Sequence, residues 1–520
     1  MKNSDLVMSV DPPIIVNGSV PIAASLTSGR LLAKNTIWNL VGACAPILVA
    51  VFCLPVIKTK LGTDRLGIIS LAWVVLGYFG LFDLGLSRAL TKLVAERLGL
   101  QRSLEIPGLV WTSLFLMSGI GILGSIISLL LVPWMVLHPL KVPPELHSET
   151  IHAFYWIAIA IPIVIVTAGL RGVLEALQRF RLATAIRIPM GIFTYLGPVL
   201  VLPFSHSLVA VIAVLVVGRA IAGAAHFWAC CHALPSLRKS YSFHSSDVGP
   251  LFRFGSWMTV SNVVGPFMVS FDRFLIGSII SVSAVAYYAV PYEVVTKLGL
   301  IPVSVVGVLF PAFSTTVVSD RGRLLALYNS GLKYIFFALF PCVLVLVAFA
   351  PEGLRFWLGT DFARQSAFVA QVLAIGVFIN GLGQVPFAHL QGAGRPDITA
   401  KLHLVELPIY AFLLFGLAKT MGIRGVAIAW LVRVLIDSVL IYMFSWKLLS
   451  EKSFFPQKFL LLMGGTFVVF CAAIWLNNPA IKGIFVVTVC FLVTGSMWRW
   501  LFSAREKIML RGGFRSDVGA

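Results

Sequence analysis

Read from the N-terminus, the chain alternates long apolar runs with short polar connections, and the runs have the length of a membrane crossing. A helix needs roughly 20 mostly apolar residues to span a bilayer. Such segments lie at residues 35–57, 66–86, 108–132, 153–170, 188–204, 208–229, 256–280, 284–312, 331–350, 367–390, 403–418, 425–446, 459–476 and 483–500. The pattern predicts an all-α, polytopic membrane protein of about 14 transmembrane helices. The fifth and eleventh segments are short, which leaves twelve as the alternative count.

Composition sharpens this. Of 520 residues, 59% are hydrophobic and 12% charged, where a soluble protein carries about 25% charged residues. The net charge of +19 raises nucleic acid as a partner, but the placement of the charges excludes it. With the N-terminus inside, 27 of the 40 Lys and Arg fall on the cytoplasmic side, counting Lys333 and Arg499 at the inner ends of their spans, 9 in outer loops and 4 deeper within spans. That alternation is the positive-inside pattern, so the basic balance sets topology. Both termini are then cytoplasmic: a polar tail at 1–34 and a basic tail at 501–520. The connections run to about two dozen residues at most, too few for a catalytic domain. The Gly-rich stretch LQGAGRPD, 390–397, lacks the Lys-Ser/Thr ending of a phosphate-binding P-loop. Cys230 and Cys231 read as packing residues at a helix end, and no metal-ligand spacing is present. The chain is expected to be a transporter, not an enzyme.

The chain also repeats itself. Residues 174–188 and 390–404 align without gaps, with Arg179 on Arg395; Pro46 corresponds to Pro266, and Arg219 to Arg433. Two six-helix halves in the same orientation follow, an arrangement common in transporters. The N-terminal half covers 35–230, a cytoplasmic connection 231–255, the C-terminal half 256–446, and two extra helices 459–500.

Several stretches carry a resemblance: LGTDRLGIISLAW with FDLGLSRALTKLVAE, GVLEALQRFRLATAIR, SFDRFLIGSIISVSAVAYYAVPYE, and LQGAGRPDITAKLHLVELPIYAFLLFGLAKTMGIRGVAIAWLVRVL. Over residues 30–450 the chain resembles the polysaccharide-transporter family, the Wzx-type O-antigen flippases of the multidrug/oligosaccharidyl-lipid/polysaccharide exporter superfamily. The resemblance implies a two-lobed, V-shaped bundle in the bacterial inner membrane. It also implies movement of an undecaprenyl-pyrophosphate-linked glycan to the periplasmic leaflet, with membrane lipids and a polysaccharide polymerase or chain-length protein as partners.

Charges inside the spans are costly, about 2.5–3.5 kcal/mol each on insertion scales, and must face partners or water. Glu293/Lys297 and Arg433/Asp437 stand four apart on a helix and can pair internally. Asp272 and Arg273 are adjacent and point about 100° apart, so each must look to another helix or to water. Arg219 and Arg433 sit mid-span at equivalent places in the two halves. Facing one cavity, their planar forks would suit a pyrophosphate; the alternative for Arg219 is a bridge to Asp83. Arg273 and Lys297 complete the substrate-binding candidates. Asp83, Asp272, Glu293, Glu406 and Asp437 are candidates for coupling or structural acids. Arg171, Arg179, Arg181 and Arg187 form a basic cytoplasmic loop facing either an anionic headgroup or bulk phospholipid.

Four functions compete. They are the flippase, a cation-coupled drug exporter, a peptidoglycan-precursor (lipid II) flippase and a membrane glycosyltransferase. The motifs favour the first. No cofactor is expected; a coupling ion, H⁺ or Na⁺, is open.

Overall fold

The computed structural model describes residues 29–78, 83–177, 179–238, 241–306, 309, 313, 321–449 and 457–500. The two tails, up to 28 and from 501, and the side chain of Pro266 lie outside the described residues.

The described elements are helical. In chain order they are α1 (Gly29–Tyr78), α2 (Leu86–Gly99), α3 (Ile106–Leu137), α4 (His147–Ala176), α5 (Phe180–Val201), α6 (Leu208–Ala233), α7 (Ser245–Ile279), α8 (Val282–Val295), α9 (Arg321–Leu358), α10 (Thr360–Gly392), α11 (Pro396–Leu449), α12 (Gln457–Trp475) and α13 (Pro479–Trp500). Among the described residues, the fourteen apolar segments lie mainly on helix. Among the described residues, nine helices are long and apolar enough on their own to cross a membrane. Two of the longest are each a pair of helices joined at a glycine: α1 breaks at Gly62 (φ 84°, ψ 169°) and α11 at Gly422 (φ 60°, ψ −141°). Both conformations are left-handed and strained for any residue with a Cβ.

The internal repeat appears at the level of single hydrogen bonds. At the α4–α5 turn Leu177 N donates to Val173 O, and Arg179 N donates to Leu174 O at 2.8 Å. At the α10–α11 turn Ala393 N donates to His389 O, and Arg395 N to Leu390 O at 2.9 Å. All four pairs lie 216 positions apart. The same chain reversal is built twice from the same backbone contacts.

Two expected boundaries move. The second apolar segment, 66–86, ends its helix at Tyr78, and Leu86 opens a separate helix. That helix, α2, is amphipathic. Leu86, Ala89, Leu90 and Val94 are buried while Arg88 and Lys92 are exposed, the spacing of a one-sided helix. The connection expected at 231–255 is shorter, because α6 runs to Ala233 and α7 begins at Ser245. The start of α7 is tied to the N-terminal half: Arg97 pairs with Asp247, and His244 N donates to Thr112 Oγ1 at 2.9 Å.

At the opposite ends of the helices the two halves meet closely. Lys58 Nζ donates to Leu358 O at 2.6 Å, Trp357 Nε1 donates to Val51 O, and Lys141 N donates to Gly277 O at 2.9 Å. Gly67 lies so near the start of α8 that a Cβ there would sit 1.7 Å from Val282 O. The core continues through both halves, with α10 the most enclosed of the long helices: 72% of its apolar window is buried, against 17% for α3. The apolar flank of α3, including Ile122, Ile126 and Leu130, is exposed, as a lipid-facing surface should be.

Candidate functional site

Two cavities adjoin inside the bundle. The first, about 290 Å³, belongs to the N-terminal half and is lined by Leu76 and Gly77 of α1, Thr167 and Arg171 of α4, Arg187 and Thr194 of α5, and Arg219 and His226 of α6, among others. The second, about 210 Å³, lies between the halves. Ser70, Trp73 and Gly77 of α1 and Thr194 and Tyr195 of α5 face Arg273 of α7 and Glu293 of α8. Gly77 and Thr194 line both, so the cavity of Arg171, Arg187 and Arg219 neighbours the one that holds Arg273.

Arg219 has its Nε enclosed without a hydrogen-bond partner. It is not bridged to Asp83. The Asp83 carboxylate instead accepts from Gly85 N at 2.9 Å and Ser87 N at 2.8 Å. It caps the N-terminus of α2, where free amides and the helix dipole favour an anion. With both oxygens so used, Asp83 reads as a structural acid. Of the four loop arginines, Arg171 and Arg187 reach the cavity. Arg179 sits at the N-cap of α5 and Arg181 on its exposed first turn. Arg171 also lies 3.6 Å from Glu175.

In the second cavity Asp272 and Arg273 do turn to different partners. Asp272 is fully buried and accepts from Tyr288 Oη at 2.6 Å and from Arg273 N at 2.7 Å. The Arg273 guanidinium stacks over Tyr292 at 4.5 Å and donates from Nη2 to Glu293 Oε1 at 3.3 Å. Lys297 approaches Glu293 from one helical turn on, at 3.5 Å. Glu293 thus stands between two cations, and its half-exposed side chain faces the cavity.

Arg433 departs from expectation. The cavity that holds Arg219 is lined by the N-terminal half alone, so the two arginines do not share it. Nor does Arg433 pair with Asp437: among the described residues no ion pair joins them. Its guanidinium lies over the Tyr410 ring at 5.4 Å, and His403 Nε2 takes the place beside Asp437 Oδ1 at 3.6 Å. Glu406 adjoins that pair, with the His403, Glu406 and Asp437 side-chain atoms all within 4.8 Å of one another. The histidines are what sequence reading passed over. His226 lies seven residues from Arg219, and His403 three from Glu406, both helical spacings that put the pairs on one face.

A third cavity, about 520 Å³, is apolar. It is walled by α9, α10 and α11 with Thr466, Phe467 and Phe470 of α12.

A family model described as "Polysaccharide biosynthesis protein" matches residues 32–317. A relative from Shigella flexneri, a "Putative O-antigen transporter", is 30% identical over 411 residues, covering 79% of this chain and 96% of the relative. The chain belongs to this polysaccharide biosynthesis family. It is a family of multi-pass membrane transporters. Solved structures share the fold. The lipid II flippase MurJ in an inward closed conformation superposes with a TM-score of 0.68 at 16% identity, covering 90% of this chain and 98% of the other. An inward-facing multidrug transporter of the MATE family gives 0.65 at 15% identity (80% and 94%), and an outward-facing one 0.53 at 12% identity (80% and 96%).

Proposed function

We propose that the protein is a flippase. It carries a lipid-pyrophosphate-linked oligosaccharide from the cytoplasmic to the periplasmic leaflet of the inner membrane by alternating access, for surface polysaccharide synthesis. The observation that carries this reading is the arginine-lined cavity of the N-terminal half. Arg171, Arg187 and Arg219 converge on one cavity, and the Arg219 Nε has no protein partner there. An uncompensated guanidinium at membrane depth calls for an anionic ligand, and its planar fork matches phosphate oxygens. The positive-inside count puts Arg171 and Arg187 at the cytoplasmic end, where such a substrate is assembled, and both termini on the same side. The faces joined through Lys58, Lys141 and Gly67 are then periplasmic, so the chain is closed to the periplasm. The polymerase or chain-length partner of the polysaccharide pathway would receive the product on that side.

The test is translocation of lipid-linked oligosaccharide in proteoliposomes, comparing the intact chain with Arg219→Gln and Arg187→Gln at matched insertion. Each variant should lose at least about tenfold in rate, the effect of about 1.4 kcal/mol lost from a charge-assisted contact. If the intact chain moves no such lipid but exports cationic dyes, it is a drug exporter and the reading falls.

A further inference from the structure

We propose that Glu406 and Asp437, with His403 beside them, form a proton-binding site in which the two carboxylates share one exchangeable proton.

Two carboxylates meet in the interior of α11's helical pair, one from each arm of the helix. Glu406 is 5% exposed and Asp437 8% exposed, and both Glu406 oxygens and Asp437 Oδ1 lack any hydrogen-bond partner. Three buried acceptor atoms without a donor, at membrane depth, would be expensive if nothing filled the gap between them. Two such carboxylates cannot both stay ionised side by side; one proton held between them supplies the missing donor and removes a charge.

The partners point the same way. Asp272 and Glu293 are already served, by Tyr288 and by Arg273 and Lys297, whereas among the described residues no Lys or Arg ion pair reaches Glu406 or Asp437, and His403 alone stands beside Asp437. Imidazole is a poor ligand for alkali cations, which prefer oxygen, so a proton suits this cluster.

The surroundings supply a route and a readout. The His403 side chain is 37% exposed and lies 3.6 Å from Asp437 Oδ1, so its imidazole can pass a proton between water and the pair. The charged and titratable groups beside the pair are His403 and Arg433 on α11 itself, and from α10 the Phe387 ring stacks on His403. His389 is engaged with Ser445 Oγ at 2.9 Å. Arg433 lies over the Tyr410 ring at 5.4 Å on the same helix pair, and the charge state of the two carboxylates sets how strongly it is attracted toward them. That the proton drives transport rests on the flippase reading; that the pair binds one does not.

The test is infrared difference spectroscopy of the full chain in nanodiscs during a pH titration. The intact protein should show a protonated carboxylic C=O band that titrates and is lost in both Glu406→Gln and Asp437→Asn. His403→Gln should keep the band but slow its proton–deuteron exchange by about tenfold, as loss of a relay costs. Glu406→Gln preserves shape and hydrogen bonding. If it fails to insert, the His403→Gln exchange rate alone decides. The proposal is overturned if no band titrates, if it survives either acid substitution, or if His403→Gln leaves exchange unchanged. A melting temperature raised by Na⁺ or Mn²⁺ in the intact chain and not in Glu406→Gln would also overturn it, assigning the site to a metal ion. Translocation measured on the same samples separates the two readings: a titrating band in a protein that flips no lipid-linked glycan retires the flippase and keeps the site.

Discussion

At the residue scale, the buried charges divide into those with a full set of partners and those without. Asp83 and Asp272 are of the first kind. Asp83 accepts two backbone amides at the start of α2, so Asp83→Ala should lower stability by about 1 kcal/mol, as the loss of a helix cap does. Asp83→Asn should translocate at the rate of the intact chain, which an essential coupling acid would not. Asp272 takes the Tyr288 hydroxyl at 2.6 Å. Tyr288→Phe should therefore cost about 1.5–3 kcal/mol, since it removes a donor from a carboxylate that no water reaches; thermal unfolding in detergent reads both variants. Sequence alone identified these acids as charges that needed partners, and it correctly refused to pair Asp272 with Arg273. It offered Asp437 as a possible partner for Arg433 because an i,i+4 spacing permits that pair, while setting Arg433 beside Arg219 as a substrate-binding candidate. The structure places His403 there instead, because the two arms of α11 fold back on each other and bring residues 34 positions apart into reach. Helical spacing reports neighbours on one helix and is silent about those across a reversal.

At the scale of elements, most of the fold was legible. Apolar runs of bilayer length have one cheap conformation in hydrocarbon, so their positions follow from hydropathy. The prolines at 46, 55, 162, 198, 291 and 408 sit inside helices that continue through them. What hydropathy could not place were the elements it does not govern. The amphipathic α2 was left in the connection after the second span, and the two reversals were expected as loops, without the glycines, Gly62 and Gly422, that make them. Both glycines have open space around the Cβ position. Their substitution thus costs only the backbone strain of a left-handed residue, about 1–2 kcal/mol. Gly422→Ala should lower the unfolding temperature without changing the lateral packing of α10, and crosslinking between α10 and α11 should be unaffected. A loss of crosslinking would mean that the glycine is needed for close approach, not for its dihedral angles.

At the scale of the whole transporter, the halves touch at both ends of the helices, and the contacts at the end away from Arg97 and Asp247 are of two kinds. Lys58 and Lys141 reach carbonyls at the C-terminal ends of α9 and α7, where the helix dipole favours a cation by about 0.3–1 kcal/mol each. Those contacts are soft and readily exchanged for water. Gly67 is different, because backbone lies against backbone: a methyl group 1.7 Å from Val282 O cannot be accommodated by rotating a side chain. Gly67→Ala should force α1 and α8 apart, and overpacking of this kind costs about 1–3 kcal/mol. Since the strain exists in the closed arrangement alone, the same energy shifts the population toward a form open at this face by about tenfold or more. Spin labels at Thr59 and Asp361, both exposed, would report this as a longer distance component in Gly67→Ala, smaller or absent in Lys58→Met. A distance distribution unchanged by Gly67→Ala would mean that the halves do not separate along this seam. Alternating access would then have to run through some motion other than the parting of α1 from α8.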